Sequence, residues 1–421
     1  MKDDSKRELM PKLRFPQFRD AEGWDKTRLD EVLSPIVRER KKPNEAYTGL
    51  GLRSHGKGTF LKWLENPAKI SMEHLYEVKC DDLVVNITFA WEGAVAVAEA
   101  DDDGALVSHR FPTYTFKKGK AIPAFFRYII LDKQFVYNLG VISPGGAGRN
   151  RVLNKNDFLK LSTFLPDISE QQKIADCLNT LDQLIATHGR KRDALKAHKK
   201  GLMQQLFPRA GETQPRLRFP EFQNASRWSS DALGQIFETA SGGTPDRSKK
   251  EYWSGNIPWI TTSLVGFNII TEADAFISEV GLRNSSAKVF PEKTILVAMY
   301  GQGKTRGQVA MLGIRAATNQ ACAAILPRKE IDPRFVFLNL GSRYEEMRRL
   351  SNSGGQENLS QGLIQGLQFS YPNDRDEQET IADCLTSLDE LVAAQTQKLE
   401  ALKAHKKGLM QQLFLPAEEI L

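Results

Sequence analysis

Residues Ile174–Phe207 read IADCLNTLDQLIATHGRKRDALKAHKKGLMQQLF, and Ile381–Phe414 read IADCLTSLDELVAAQTQKLEALKAHKKGLMQQLF. The two copies agree at 24 of 34 positions, and Ala194–Phe207 recurs letter for letter as Ala401–Phe414. Neither copy contains proline, both are rich in Ala, Leu, Lys and Gln, and each follows a proline and an acidic lead-in, Pro166 with Glu170 and Pro372 with Glu377. Those features predict two helices. With Ile174 at a heptad d position, the first copy carries a 4-3 seam of Leu178, Leu181, Ile185, His188, Arg192, Leu195, Lys199 and Leu202. The second carries Leu385, Leu388, Val392, Gln395, Leu399, Leu402, Lys406 and Leu409. Both seams have coiled-coil spacing. From Ser169 to Phe207 each helix is roughly 58 Å long at ~1.5 Å per residue, which suits a spacer better than a core helix. His188 and Arg192 stand in the first seam where the second has Gln395 and Leu399, so its middle is expected to be polar.

The repeat extends beyond the helices. PKLRFPQF (Pro11–Phe18), followed by Trp24 and Leu29, returns as PRLRFPEF (Pro215–Phe222), followed by Trp228 and Leu233. A period of about 205 residues means duplicated domains and not a solenoid. The order of pieces is nearly circular, and two copies in one chain allow a pseudo-two-fold arrangement with the long helices antiparallel. The division is a short motif at 1–29, a variable segment at 30–165, a helix at 166–208, a linker and second motif at 209–233, a second variable segment at 234–371, and a second helix with its tail at 372–421.

The variable segments share an outline but little sequence. Strands are expected at Leu83–Ala90, Ala94–Glu99 and Thr113–Phe116 in the first, and at Thr294–Tyr300, Gln308–Leu312 and Ala321–Pro327 in the second. Apolar stretches at Ala124–Phe135 and Phe335–Leu350 read as helices, each followed by a Gly-rich loop, Ser143–Asn150 or Ser351–Asn358. The expected fold is α+β: two globular domains with β-rich cores, separated by a long antiparallel two-helix coiled coil.

Length and content bound the function. A chain of 421 residues with 41% hydrophobic content supports two or more cores. A net charge of +6 and a pI near 8.9 fit a nucleic-acid partner without requiring one. No apolar run reaches the ~18 residues of a membrane span, and the start MKDDSKRELM lacks a signal-peptide core, which points to the cytoplasm. Cys80, Cys177, Cys322 and Cys384 show neither CxxC pairing nor zinc-ligand spacing, so reduced thiols are expected.

One string is enzyme-like. AMYGQGKT (Ala298–Thr305) follows a strand and satisfies a lax phosphate-loop pattern, but it lacks the first glycine and leads into strand-like QVAML where a phosphate loop opens a helix. A nucleotide-binding enzyme is therefore the lesser reading. No HExxH, GxSxG or paired carboxylate cluster accompanies it, and His198 and His405 are duplicate positions on a solvated helix flank. What the variable segments do hold is loops with side chains that read DNA. In the first these are Arg53, His55, Lys57, Trp91, His109, Arg110, Arg149 and Asn150, with Arg151 beside them. In the second they are Thr244, Arg247, Lys249, Thr262, Tyr300, Gln302, Lys304, Arg306, Asn319, Gln320 and Gln356. Arg pairs with guanine and Asn or Gln with adenine at major-groove edges, while Lys holds phosphate.

The LRFPxF…W entries at Leu13–Trp24 and Leu217–Trp228, the P…EQ…IADCL…LD starts at Pro166–Asp182 and Pro372–Asp389, and the KKGLMQQLF ends together resemble the specificity subunit of type I restriction-modification enzymes, as does SGGTPDRSKKEYWSGNIPWITTS. The resemblance covers nearly the whole chain. It implies a non-catalytic chain whose two target recognition domains each read one half of a bipartite, asymmetric site in double-stranded DNA, with the coiled coil setting the spacing. It implies two modification subunits, which use S-adenosylmethionine to methylate adenine, docked on the repeated regions. Motor-nuclease subunits using ATP and Mg would join them, and this chain would bind no cofactor itself. A scaffold bridging two proteins without touching DNA is the remaining alternative.

Overall fold

The computed structural model describes residues 9–145, 151–301, 304–350 and 358–415. The chain divides into two compact units, residues 1–188 with 398–421, and residues 189–397. The two long helices span Ile168–Leu206 and Arg375–Leu413, so each unit owns the start of one and the end of the other.

In the first unit a short antiparallel pair, Asp25–Arg28 with Ser162–Leu165, brings the beginning and end of the variable segment together. A four-stranded antiparallel sheet follows in the order Leu33–Ile36, Thr113–Phe116, Leu83–Val85, Val95–Val97. The adjacent strands Leu83–Val85 and Val95–Val97 are apolar without interruption because both of their faces are covered. Leu83, Val85, Val95 and Val97 face a core with Phe125, Phe126, Ile174 and Leu178, while Val84 and Ala96 face a second core with Leu50, Leu52 and Val107. That second core lies under a five-stranded sheet ordered Glu39–Lys41, His74–Glu77, Leu106–Val107, Tyr47–Leu52, Thr59–Leu64.

The second unit repeats the plan. Ser229–Ala232 pairs with Gln368–Tyr371, and a central sheet runs Thr239–Ser241, Cys322–Ile325, Ile295–Ala298, Val309–Leu312, Asn268–Ile270. Ile295, Val297, Val309 and Met311 face Phe335 and Leu385, while Leu296, Ala298, Ala310 and Leu312 face the other way, toward Ile260 and Phe290.

Three expectations need adjusting. The strands are shorter than the apolar runs: Leu83–Val85 ends before Asn86, whose side chain accepts from the Thr88 amide and turns the chain. The run Ala124–Phe135 is not one helix but two, Pro123–Ile129 and Lys133–Val141, because Asp132 leaves the first and caps the second through the amides of Gln134 and Phe135. The run Phe335–Leu350 likewise divides into Pro333–Ser342 and Tyr344–Leu350.

The seam positions read from the sequence are buried or half-buried along both long helices, whereas Leu184 and Leu391, outside it, are 42% and 54% exposed. In the first unit Ile174 and Leu178 share a core with Leu413, and Lys406 reaches Asp182 at 2.6 and 2.7 Å, so the numbering falls along one helix as it rises along the other. The second unit has the same antiparallel pairing, with Leu206 beside Ile381 and Leu385, and Lys199 on Asp389 at 2.5 and 2.6 Å. A lysine in an apolar seam is tolerated here because its stem packs while its ammonium meets a carboxylate at the rim.

Candidate nucleic-acid interface

In the first unit the hairpin of Tyr47–Leu52 and Thr59–Leu64 carries Arg53, His55 and Lys57 on its turn, all exposed. His55 and Gly56 both hold φ of 62°, the left-handed region, and a Cβ on Gly56 would lie 2.2 Å from Leu131. That shape lets the turn dock: the amides of His55 and Gly56 donate to the carbonyls of Glu92 and Gly93 at 2.7 and 3.0 Å, and Ser54 Oγ donates to Glu92. Arg53 lies over the Phe60 ring at 5.2 Å. Ile87 gathers two further segments, its amide donating to Arg110 O and its carbonyl accepting from the Leu153 amide. Lys155 Nζ then donates to His109 O. Trp91 is half-buried, its indole bound to Thr88 O and its ring covered by Arg151 at 5.4 Å. The turn 53–58 and the segments around Trp91, Arg110 and Arg151 thus form one surface. Lys155 belongs to it and was missed, having no signal beyond its charge.

In the second unit Gly242 and Gly243 run so close to the neighbouring strand that a Cβ on Gly242 would lie 2.0 Å from Thr318 O. This approach lets the Gly243 amide donate to Thr318 O, Trp259 Nε1 donate to Gly243 O, and Thr244 Oγ1 donate to Gln320 Oε1 at 2.5 Å. Asn319 is tied to Ile260 O, next to the Thr261–Ser263 hydroxyl pair, and Ala321 O accepts from the Met299 amide just before Tyr300. Thr244, Thr262, Tyr300, Asn319 and Gln320 are therefore brought together on one surface. Arg247 stacks on Trp253 and Trp259 at 5.1 and 5.5 Å. Lys249 Nζ binds the Tyr252 hydroxyl, whose contact raises the ammonium pKa. Lys304 is exposed, its carbonyl taken by Tyr344 OH, and Arg306 is half-buried. Arg149, Asn150, Gln302 and Gln356 lie outside the described residues.

The enzyme-like string joins two antiparallel strands, Ile295–Ala298 and Val309–Leu312. A phosphate loop needs a helix N-terminus there to supply amides and dipole, and this loop returns into the sheet. All four cysteines are free, and burial pushes the Cys322 thiol up to about 12. No helix among the described residues is long and apolar enough to cross a membrane.

Both surfaces are carried by the same junction with the long helices. Glu170 receives Arg14 Nε and Nη2 at 2.9 and 2.5 Å, and Glu377 receives Arg218 at 2.8 and 2.5 Å. The first pair is buried, the second has a buried glutamate and a half-buried Arg218, and both tie the LRFP motif to a helix start. The sequence marked both glutamates as acidic helix leads within a repeated EQ motif, without indicating the arginine that each one meets.

The family model for the type I restriction modification DNA specificity domain matches this chain twice, at residues 21–197 and 225–404. The chain belongs to that family. Each specificity-domain match includes one variable segment and most of the long helix that follows it. The chain is 27% identical over 172 residues to the Escherichia coli EcoR124I/EcoR124II specificity subunit, an alignment covering 40% of this chain and 42% of that one. It is 22% identical over 326 residues to the putative MjaX specificity subunit of Methanocaldococcus jannaschii, covering 76% and 74%. The match to the Escherichia coli subunit thus spans less than half of that protein. Among solved structures, the S subunit of a type I restriction-modification system from M. genitalium superposes with a TM-score of 0.59 at 16% identity, covering 97% of this chain and all of that one. A chain from a structure of type I R-M complex assembly and conformational transition gives 0.55 at 17% identity, covering 93% and 98%. These two likenesses concern the fold.

Proposed function

We propose that this chain is the non-catalytic subunit that gives a type I restriction-modification complex its DNA specificity, each variable domain reading one half of a bipartite, asymmetric duplex site. The observation that carries the reading is a repeated frame holding unlike loops. Arg14–Glu170 and Arg218–Glu377 are the same junction made twice, whereas the surfaces around His55 and Trp91 and around Thr244 and Gln320 share no residue pattern. Like helices suit two copies of one modification subunit, and unlike loops suit two unlike half-sites. The paired long helices set the distance between half-sites, and S-adenosylmethionine, ATP and Mg belong to the partner subunits.

The test is to combine the chain with its modification partner and S-adenosylmethionine, then sequence genomic DNA for methylated adenine. Methylation is expected at one bipartite motif, and exchanging residues 234–371 for a homologue's segment should change one half alone. A stable complex that shows no salt-dependent affinity for duplex DNA would instead favour the protein-bridging scaffold.

A further inference from the structure

Beside each helix-start glutamate stands a buried glutamine, Gln171 at 1% exposure and Gln378 at 0%. Gln171 Oε1 accepts from the Ile122 amide at 3.0 Å, while its Nε2 donates to Pro166 O at 2.8 Å and to Lys120 O at 3.5 Å. Gln378 repeats this atom for atom: Oε1 accepts from the Asp332 amide at 2.7 Å, and Nε2 donates to Pro372 O at 2.8 Å and Glu330 O at 3.3 Å. Ile122 and Asp332 are the residues that open the Pro123–Ile129 and Pro333–Ser342 helices of the variable domains. One amide therefore joins three things in each unit: the long helix, the strand end that enters it, and the recognition domain. The glutamate next to it faces the other way, to the LRFP motif. A hydrophobic residue of the same length would fill the space but fix none of these backbone groups. Core packing alone does not call for an amide at this place, and its recurrence in two diverged domains points to the angle that it holds.

We propose that Gln171 and Gln378 are positioning residues that fix the tilt of each recognition domain on its long helix and thereby restrict the spacer lengths at which a bipartite site is accepted. This rests on the DNA-specificity reading above. A domain of this size has a radius of gyration of roughly 14 Å, so a tilt of about 14° carries its middle through ~3.4 Å, one base-pair step of a duplex. Helix length then sets the mean spacing, and the glutamine amides set how sharply it is enforced.

The experiment uses the full chain assembled with its modification partner, with methylation measured on DNAs whose spacer is native, one base pair longer or one shorter. Gln171→Met, and separately Gln378→Met, should raise methylation of the off-length sites by about ten-fold or more relative to the native spacer, with half-site base preference unchanged. If the Met variants fail to fold, Gln171→Asn and Gln378→Asn, one methylene too short to span the junction, carry the same expectation. Folded variants that keep the wild-type spacer profile overturn the proposal alone. A wild-type complex that methylates no bipartite site overturns the functional reading and this proposal with it.

Discussion

At the helix starts the two units match residue for residue, with Glu170 on Arg14 and Gln171 on Ile122 in one, and Glu377 on Arg218 and Gln378 on Asp332 in the other. A short distance away they part. Trp228 Nε1 donates to Glu377 at 3.1 Å, whereas the equivalent Trp24 Nε1 is buried without a hydrogen-bond partner. Tyr128 OH lies 2.9 Å from Asp182 and Lys406 covers its ring, but Leu338 lines the matching groove beside Asp389. The junction contacts thus recur in both units, whereas the Trp228 and Tyr128 hydrogen bonds each occur in one unit only.

Four measurements test how far the two units are equivalent. Glu170→Ala leaves the buried Arg14 guanidinium without its carboxylate and should cost about 3–5 kcal/mol in denaturant unfolding, and Glu377→Ala somewhat less because Arg218 is half-buried; a large loss from one and little from the other would end the equivalence. Trp228→Phe removes a hydrogen bond to a buried carboxylate, for about 1.5–3 kcal/mol. Trp24→Phe removes none and should cost clearly less, so equal losses would mean that ring packing alone decides both.

The third measurement varies pH. Cys322 in the second unit is protonated in the fold up to about 12, against an ordinary value of 9.0, because burial disfavours its thiolate. A raised folded pKa contributes stability below the unfolded value and loses it as pH rises toward the folded one. The second unit should therefore weaken by about 1 kcal/mol between pH 9 and 10, and Cys322→Ala should abolish that drop in melting temperature. Tyr114 in the first unit, pushed by burial up to about 12 from 10.0, starts to lose its contribution only above pH 10. The smallest effect is expected at Arg192, whose side chain is 26% exposed and paired with Asp193, while Leu399 at the matching place is 3% exposed. Arg192→Leu should raise stability by about 1 kcal/mol; an unchanged or lower melting temperature would show that the arginine is not a liability in the seam.

The frame was legible in the sequence because it is written twice with a period. The 4-3 spacing from Leu178 to Leu202 and from Leu385 to Leu409 identified the face that the helices bury. The stacked sheets of the first unit and the central sheet of the second were less legible. Strands such as Leu83–Val85 and Ile295–Ala298 are covered on both sides and carry no alternation. The break at Asp132 was hidden because apolar residues continue across it, and a cap is a single side chain with no period. The candidate DNA-reading residues could be named from the sequence, whereas the surface that gathers them in each unit could not. What joins His55 to Trp91, and Thr244 to Gln320, is backbone pairing between distant loops. Gln171 and Gln378 left one trace, an EQ dipeptide in both copies, without indication of what the amide holds.

The first unit is assembled from residues 1–188 and 398–421, with all of 189–397 made in between. At roughly 5–20 residues per second of synthesis, Leu178 and Leu181 leave the ribosome ~10–40 s before Leu409 and Leu413, which share their core. The second unit is continuous in the chain and waits for nothing outside itself. The part of the protein made first is thus the last that can be finished, and for those seconds a nascent chain presents an open apolar helix face to whatever chaperone or neighbouring chain meets it.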